Sequence, residues 1–257
     1  MSEHETEQDS VEKSAQPLID HLIELRDRII KMLVAIAVIF ICLAPFSNEI
    51  YQFVSEPLES LLPESSSMIA TEVASPFFAP FKLTLIVALM LAMPVILFQF
   101  WAFIAPGLYR REKVIALPLF FSSILLFYAG MAFAYYVVFP LVFGFFTQVG
   151  PENITIMTDI SQYLNFVLKL FLAFGIAFEI PIAIVILIWT GITTADSLAK
   201  KRPYIFLGCF VVGMLLTPPD IISQTLLALP MWLLFEFGVL FGRLIKSRKS
   251  EESPEGV

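Results

Sequence analysis

Residues 159–191, DISQYLNFVLKLFLAFGIAFEIPIAIVILIWTG, restrict the fold of this chain more than any other stretch. As a helix rising 1.5 Å per residue, the run is long enough to cross a hydrocarbon layer about 30 Å thick. Glu179 and Pro181 lie near its middle. A carboxylate at that depth costs about 2.5–3.5 kcal/mol even on the mildest insertion scale, so it should face protein or a water-filled cavity. The rest of the chain has the same character: 58 % of its 257 residues are hydrophobic. The mean hydropathy is +0.83, far from that of soluble domains, which are about half apolar. Its charged residues fall mostly in short clusters between apolar runs. These features predict an all-α polytopic membrane protein; the ten-residue alternation of a β-barrel is absent.

The apolar runs predict six transmembrane helices, over about 29–45, 77–103, 114–139, 161–190, 204–216 and 224–242, within a domain covering 16–245. Residues 1–15 read as a disordered acidic cytoplasmic tail, and 246–257 as a second cytoplasmic tail. A cleavable signal peptide starts with a basic region, which this acidic start lacks. Residues 17–31 form a half-amphipathic helical lead into the first span, with Glu24 and Arg28 four apart, as are Asp27 and Lys31. Pro45 closes that span, and a short interfacial helix interrupted by Pro57 follows. The second span carries Pro80 and Pro94 and exceeds the length needed, which predicts tilt or a kink. The third ends at Phe139 and Pro140, and Asp159 suits the cap of the fourth. The fifth reaches only about 20 Å at the helical rise, so 204–242 reads as two thin crossings or one re-entrant hairpin.

Orientation follows from charge. Of 16 Lys and Arg, 14 fall in the N-terminal segment, the 110–113 loop, the 200–202 loop and the C-terminal tail. Lys82 and Lys169 lie within spans, placed to snorkel. The three opposite loops have no Lys or Arg but carry eight acidic residues, among them Glu49, Asp159 and Asp220. The positive-inside rule therefore predicts both termini in the cytoplasm.

Glu24 and Glu112 are acidic residues within basic cytoplasmic margins. One reading gives each an ordinary ion pair, Glu24 with Arg28 and Glu112 with Arg111. The other makes them a pair of carboxylates that receives a cationic ligand, since a carboxylate can hold a guanidinium bidentately. Glu179 reads as a polar recognition or translocation site, or as a structural hydrogen bond to a neighbouring helix. For Glu236 the structural and functional readings stand even. Trp101 and Trp189 sit where interfacial anchors would. The sequence shows no phosphate loop, nucleophile elbow or cluster of metal ligands, so the chain reads as non-enzymatic. It reads also as free of cofactor or metal and without a nucleic-acid partner.

Six segments carry a resemblance: HLIELRDRI at 21–29, VASPFFAPFKL at 73–83, QFWAFIAPGLYRREK at 99–113, GMAFAYYVVFP at 130–140, AFGIAFEIP at 173–181, and KRPY with GMLLTPPDIISQ ending at Gln224. Over about 16–245 the chain resembles the TatC family, gammaproteobacterial type, the polytopic subunit of the twin-arginine protein translocase. The resemblance implies six spans with short fifth and sixth helices in a curved, cup-like bundle. It implies an inner-membrane receptor that binds twin-arginine signal peptides of folded precursors and nucleates their export, driven by the proton-motive force. Glu24 and Glu112 then match the positions that bind the arginines, with Arg26 and Phe103 beside them. Glu179 matches an intramembrane partner contact, and Pro57, Asp220 and Gln224 match further functional positions. The implied partners are TatA-type and TatB-type single-span subunits, precursor proteins, further copies of the chain and membrane lipids. Two other readings remain on residues alone. A small-solute secondary transporter would use Glu179 as a midplane coupling carboxylate, though no internal repeat is visible. A non-transporting scaffold would tolerate loss of Glu24 and Glu112.

Overall fold

The computed structural model describes residues 3–61, 69–71, 73–104, 113–149, 159–217 and 221–251, and among them the named elements are all helices. Helix α1 (Glu3–Leu43) leads through a 3₁₀ turn, Ala44–Phe46, into α2 (Ser47–Leu61). Pro45 has no N–H for the α1 ladder, which explains the change of helix type there. Residues 3–15, expected as a disordered tail, are here the first turns of α1. Glu3, Glu5, Glu7 and Glu12 recur in that stretch, and with Gln8, Lys13 and Ala15 they cost little once a helix is nucleated. The backbone of α2 also runs through Pro57, where an interruption is expected from sequence.

Prolines lie at the irregular points of the long helices, beginning with Pro94 and Pro140. Helices α3 (Ser75–Leu91) and α4 (Met93–Ile104) meet at Ala92 with a 47° bend. Pro94 cannot donate to the Met90 carbonyl and its ring crowds that turn. The ladder resumes with Val95 and Ile96 both donating to the Ala92 carbonyl. Helix α5 (Lys113–Phe133) passes through a π-helical segment, Ala134–Val138, into α6 (Phe139–Val149). The sequence reading ends a span at Pro140, but the wider turn carries the helix past it. Phe139 N–H reaches back to the Ala134 carbonyl, and π turns of this kind absorb a locally broken register.

Helices α7 (Ile160–Ala177) and α8 (Ile180–Trp189) are two pieces of the 159–191 stretch, joined through Phe178 and Glu179. Pro181 leaves the Ala177 carbonyl without its usual donor. The chain tightens just before it: Glu179 N–H bonds the Ile176 carbonyl at 3.0 Å. Glu179 therefore sits at a break set by its own neighbour. Helix α9 (Ala195–Lys200) is capped by Thr194, whose hydroxyl accepts from Ser197 N–H. Helices α10 (Arg202–Leu216) and α11 (Ile221–Glu251) complete the chain.

Among the described residues, four stretches are long and apolar enough to cross a membrane: His21–Glu56, Leu117–Phe145, Ile160–Trp189 and Ile221–Leu244. The bent pair α3–α4 passes the same test when its two helices are taken together, as a broken span or a re-entrant loop, and α10 is a shorter apolar helix. The chain forms two compact units, one from Met1–Pro45 with Leu85–Phe120, the other from Phe46–Thr84 with Phe121–Val257. In the first, α1 packs on α4. Trp101 is buried there, only 7 % exposed, rather than placed as an interfacial anchor. In the second, α8 and α10 pack on α11 around Ile184, Ile188, Phe235 and Val239.

One end of the second unit is tied by Asp159. Its Oδ1 accepts from Gln162 N–H as the helix cap, while Oδ2 accepts from the Thr71 hydroxyl at 2.6 Å and Thr71 N–H at 3.0 Å. A parallel bridge joins Ile69 to Asp159 beside them. The Thr71 hydroxyl, then backbone N–H groups, hold the Asp159 carboxyl down from 3.8 to about 2. A lowered folded-state pKa stabilises fully above the ordinary value and is lost as pH falls toward the folded value. Asp159→Ala is therefore expected to lower the melting temperature in detergent at pH 7, with the gap to wild type closing as pH falls from about 4 toward 2. A gap that stays constant over that range contradicts this assignment.

Candidate recognition and intramembrane sites

The first candidate site lies in the first unit, where α1 meets α4. Spacing of four residues puts Glu24 and Arg28 on one face of α1. Glu24 Oε1 accepts from Arg28 Nε at 3.0 Å and from Nη2 at 2.5 Å. The remaining guanidinium bonds cross to α4: Nη1 to Gln99 Oε1 at 3.3 Å, and Nη2 to the Ala102 carbonyl at 3.0 Å. Arg28 is 17 % exposed, so this network is mostly shielded from water, whereas Glu24 keeps 36 % of its side chain open.

Three residues earlier on the helix, His21 stacks on Phe103 with ring centroids 4.3 Å apart and planes 21° from parallel. His21 Nδ1 lies 3.9 Å from Glu24 Oε2, too long for a hydrogen bond. Among the described residues Oε2 accepts no hydrogen bond, since both Arg28 bonds go to Oε1. The structure thus gathers Glu24 and Phe103 through His21 and Arg28. Arg26 is turned elsewhere: its Nε and Nη2 bond Asp27 Oδ1 at 2.9 and 2.7 Å. Glu112 lies outside the described residues.

The second site surrounds the α7–α8 break. Ser123 Oγ, buried on α5, donates to Glu179 Oε2. Glu179 Oε1 is also buried and has no hydrogen-bond partner among the described residues. The carboxylate faces protein, as its cost in hydrocarbon requires. Two glycines allow the close approach: a Cβ on Gly130 would stand 2.4 Å from the Phe174 carbonyl oxygen, and one on Gly175 would stand 2.6 Å from the Phe127 ring.

Other positions singled out from sequence are more dispersed. Gln224 lies in the first turn of α11, its carbonyl 3.3 Å from where a Gly213 Cβ would stand. Asp220 lies outside the described residues, and Pro57 is described only as backbone of α2. Sequence reasoning missed a bidentate pair: Arg202 Nε and Nη2 each bond a Glu236 oxygen at 2.7 Å, joining α10 to α11. Arg202 read only as a charge that sets orientation. A paired arginine and carboxylate 34 residues apart have no signal in local spacing.

Comparison with known proteins gives a consistent result. The family described as Sec-independent protein translocase protein (TatC) matches residues 20–230. A relative named Sec-independent protein translocase protein TatC from Azotobacter chroococcum mcd 1 is 61 % identical over 240 residues, covering 93 % of this chain and 94 % of its own. The protein of the same name from Escherichia coli K12 is 60 % identical over 242 residues, with the same two coverages. Among solved structures, the crystal structure of twin arginine translocase receptor TatC superposes with a TM-score of 0.79 at 38 % identity, covering 87 % of this chain and 98 % of that one. The chain belongs to the TatC family of Sec-independent protein translocase proteins.

Proposed function

We propose that this chain is the receptor and core subunit of a twin-arginine translocase in a bacterial inner membrane. It crosses the membrane six times, with both termini and the 110–113 loop in the cytoplasm. Its acidic pair, Glu24 and Glu112, binds the two arginines of a precursor's signal peptide. Phe103 borders that site, Arg26 joins it on leaving Asp27, and the apolar part of the peptide leaves water against the bent helices. Glu179 serves contacts to TatA-type and TatB-type single-span subunits, Pro57, Asp220 and Gln224 are further functional positions, and the chain associates with further copies of itself. The proton-motive force then drives export of the folded cargo.

The observation that carries the reading is the uncommitted Glu24 Oε2 beside the His21–Phe103 stack, in a chain about 60 % identical to named TatC proteins. A carboxylate on a side chain 36 % exposed suits a guanidinium, which brings both charge and directed donors. The test is crosslinking of a twin-arginine precursor to membranes containing wild type, Glu24→Ala or Glu112→Ala. Loss of a charge-assisted pair is expected to reduce the specific crosslink at least about tenfold in each variant. Wild-type crosslinking in both would reject the assignment.

A further inference from the structure

We infer that Arg28 is a positioning residue for the recognition carboxylate, and that by fixing Glu24 it sets the preference for guanidinium over ammonium in the export tag. The inference rests on the reading of Glu24 given above and adds how that carboxylate is presented.

Both Arg28 bonds to Glu24 fall on Oε1. Arg28 does not swing with its partner, because Nη1 also donates to Gln99 and Nη2 also donates to the Ala102 carbonyl, both on α4. A mostly buried guanidinium with four hydrogen bonds is a fixed point, and it clamps Oε1 while Oε2 takes no hydrogen bond among the described residues. His21 Nδ1, at 3.9 Å, marks one wall of the space in front of Oε2, with the His21 ring held in place by Phe103. A planar donor that enters beside a stacked ring, toward an oxygen of fixed direction, fits that space better than a compact, strongly hydrated ammonium. The clamp also offsets part of the Glu24 charge. Attraction for any cation is therefore weaker, and directed hydrogen bonding decides more of the outcome.

Arg28→Lys keeps the charge but cannot place two donors on Oε1 while reaching both Gln99 and Ala102. Arg28→Gln removes the charge as well. Each frees the carboxylate to rotate, so each should lose discrimination between tags. The experiment measures crosslinking of a precursor with its natural twin arginines, and of the same precursor with twin lysines, to full-length wild type, Arg28→Lys, Arg28→Gln and Gln99→Met. The arginine-to-lysine ratio is expected to fall at least about fivefold in both Arg28 variants, and by a smaller factor in Gln99→Met, which loosens the clamp without touching Glu24. Damage to folding alone would lower both signals together and leave the ratio unchanged, which would overturn the inference. The parallel Glu24→Ala result separates the two levels. If it reduces crosslinking while the Arg28 ratio stays at the wild-type value, only the inference fails. If it leaves crosslinking intact, the underlying site fails.

Discussion

Gly130→Val is expected to abolish accumulation of folded protein. The added Cβ would stand 2.4 Å from the Phe174 carbonyl oxygen, 3.0 Å from its carbon and 2.9 Å from the Phe178 ring. The first two are backbone atoms within α7, which cannot step aside as a side-chain end can. Small residues at helix interfaces in membranes serve to let backbones approach, because packing has replaced the hydrophobic effect as the force between helices. Relief would require α5 and α7 to separate, and with them the Ser123–Glu179 contact. Overpacking a tight core typically costs about 1–3 kcal/mol, and a branched side chain against backbone lies at or above that upper end. Gly208→Ala is the matched control. A Cβ there meets no heavy atom within 4 Å, so folding should be unaffected. Detergent-extracted yield and melting temperature check both. A Gly130→Val protein as stable as wild type would show that α5 and α7 do not approach as described.

The second large effect is expected at Glu179. With Oε2 bonded to Ser123 and Oε1 buried without a partner, the group is a hydrogen-bonding site only half used inside an apolar bundle. An unsatisfied buried polar group costs about 1–3 kcal/mol, more when charged, and a partner that supplies the missing donor recovers part of it. Under the proposed function, precursor binding shifts the helix contacts around Glu179 and opens Oε1 to a polar side chain of a single-span subunit. Glu179→Ala should then leave precursor crosslinking near wild type but reduce recruitment of TatA-type subunits in reconstituted membranes at least about tenfold. Ser123→Ala, which removes only the internal partner, should impair recruitment less. Normal recruitment with Glu179→Ala would remove this residue from the mechanism.

What could be read in advance follows physical range. The helical class, a tilt or kink in the long second span and the cap at Asp159 come from groups acting within a turn or two, and the cost of a carboxylate in hydrocarbon sets Glu179 against protein or water. The Glu24–Arg28 pair also follows from spacing alone, and the ordinary ion pair weighed for Glu24 is present. The further hold of Arg28 on Gln99 and Ala102, more than 70 residues away, needed the fold. So did the Thr71 donors to Asp159, the His21–Phe103 stack and the Arg202–Glu236 fork. Pro140 misled for a different reason. A proline removes one donor, and a π turn can absorb that loss without ending the helix.

The account requires the acidic recognition site to face the compartment in which precursors arrive. The most direct measurement is labelling of a single cysteine, introduced as Arg111→Cys after Cys42→Ala and Cys209→Ala, with a membrane-impermeant maleimide on spheroplasts. The expected result is no labelling of intact spheroplasts and full labelling once the membrane is opened. Labelling of intact spheroplasts would place the 110–113 loop outside and contradict the account.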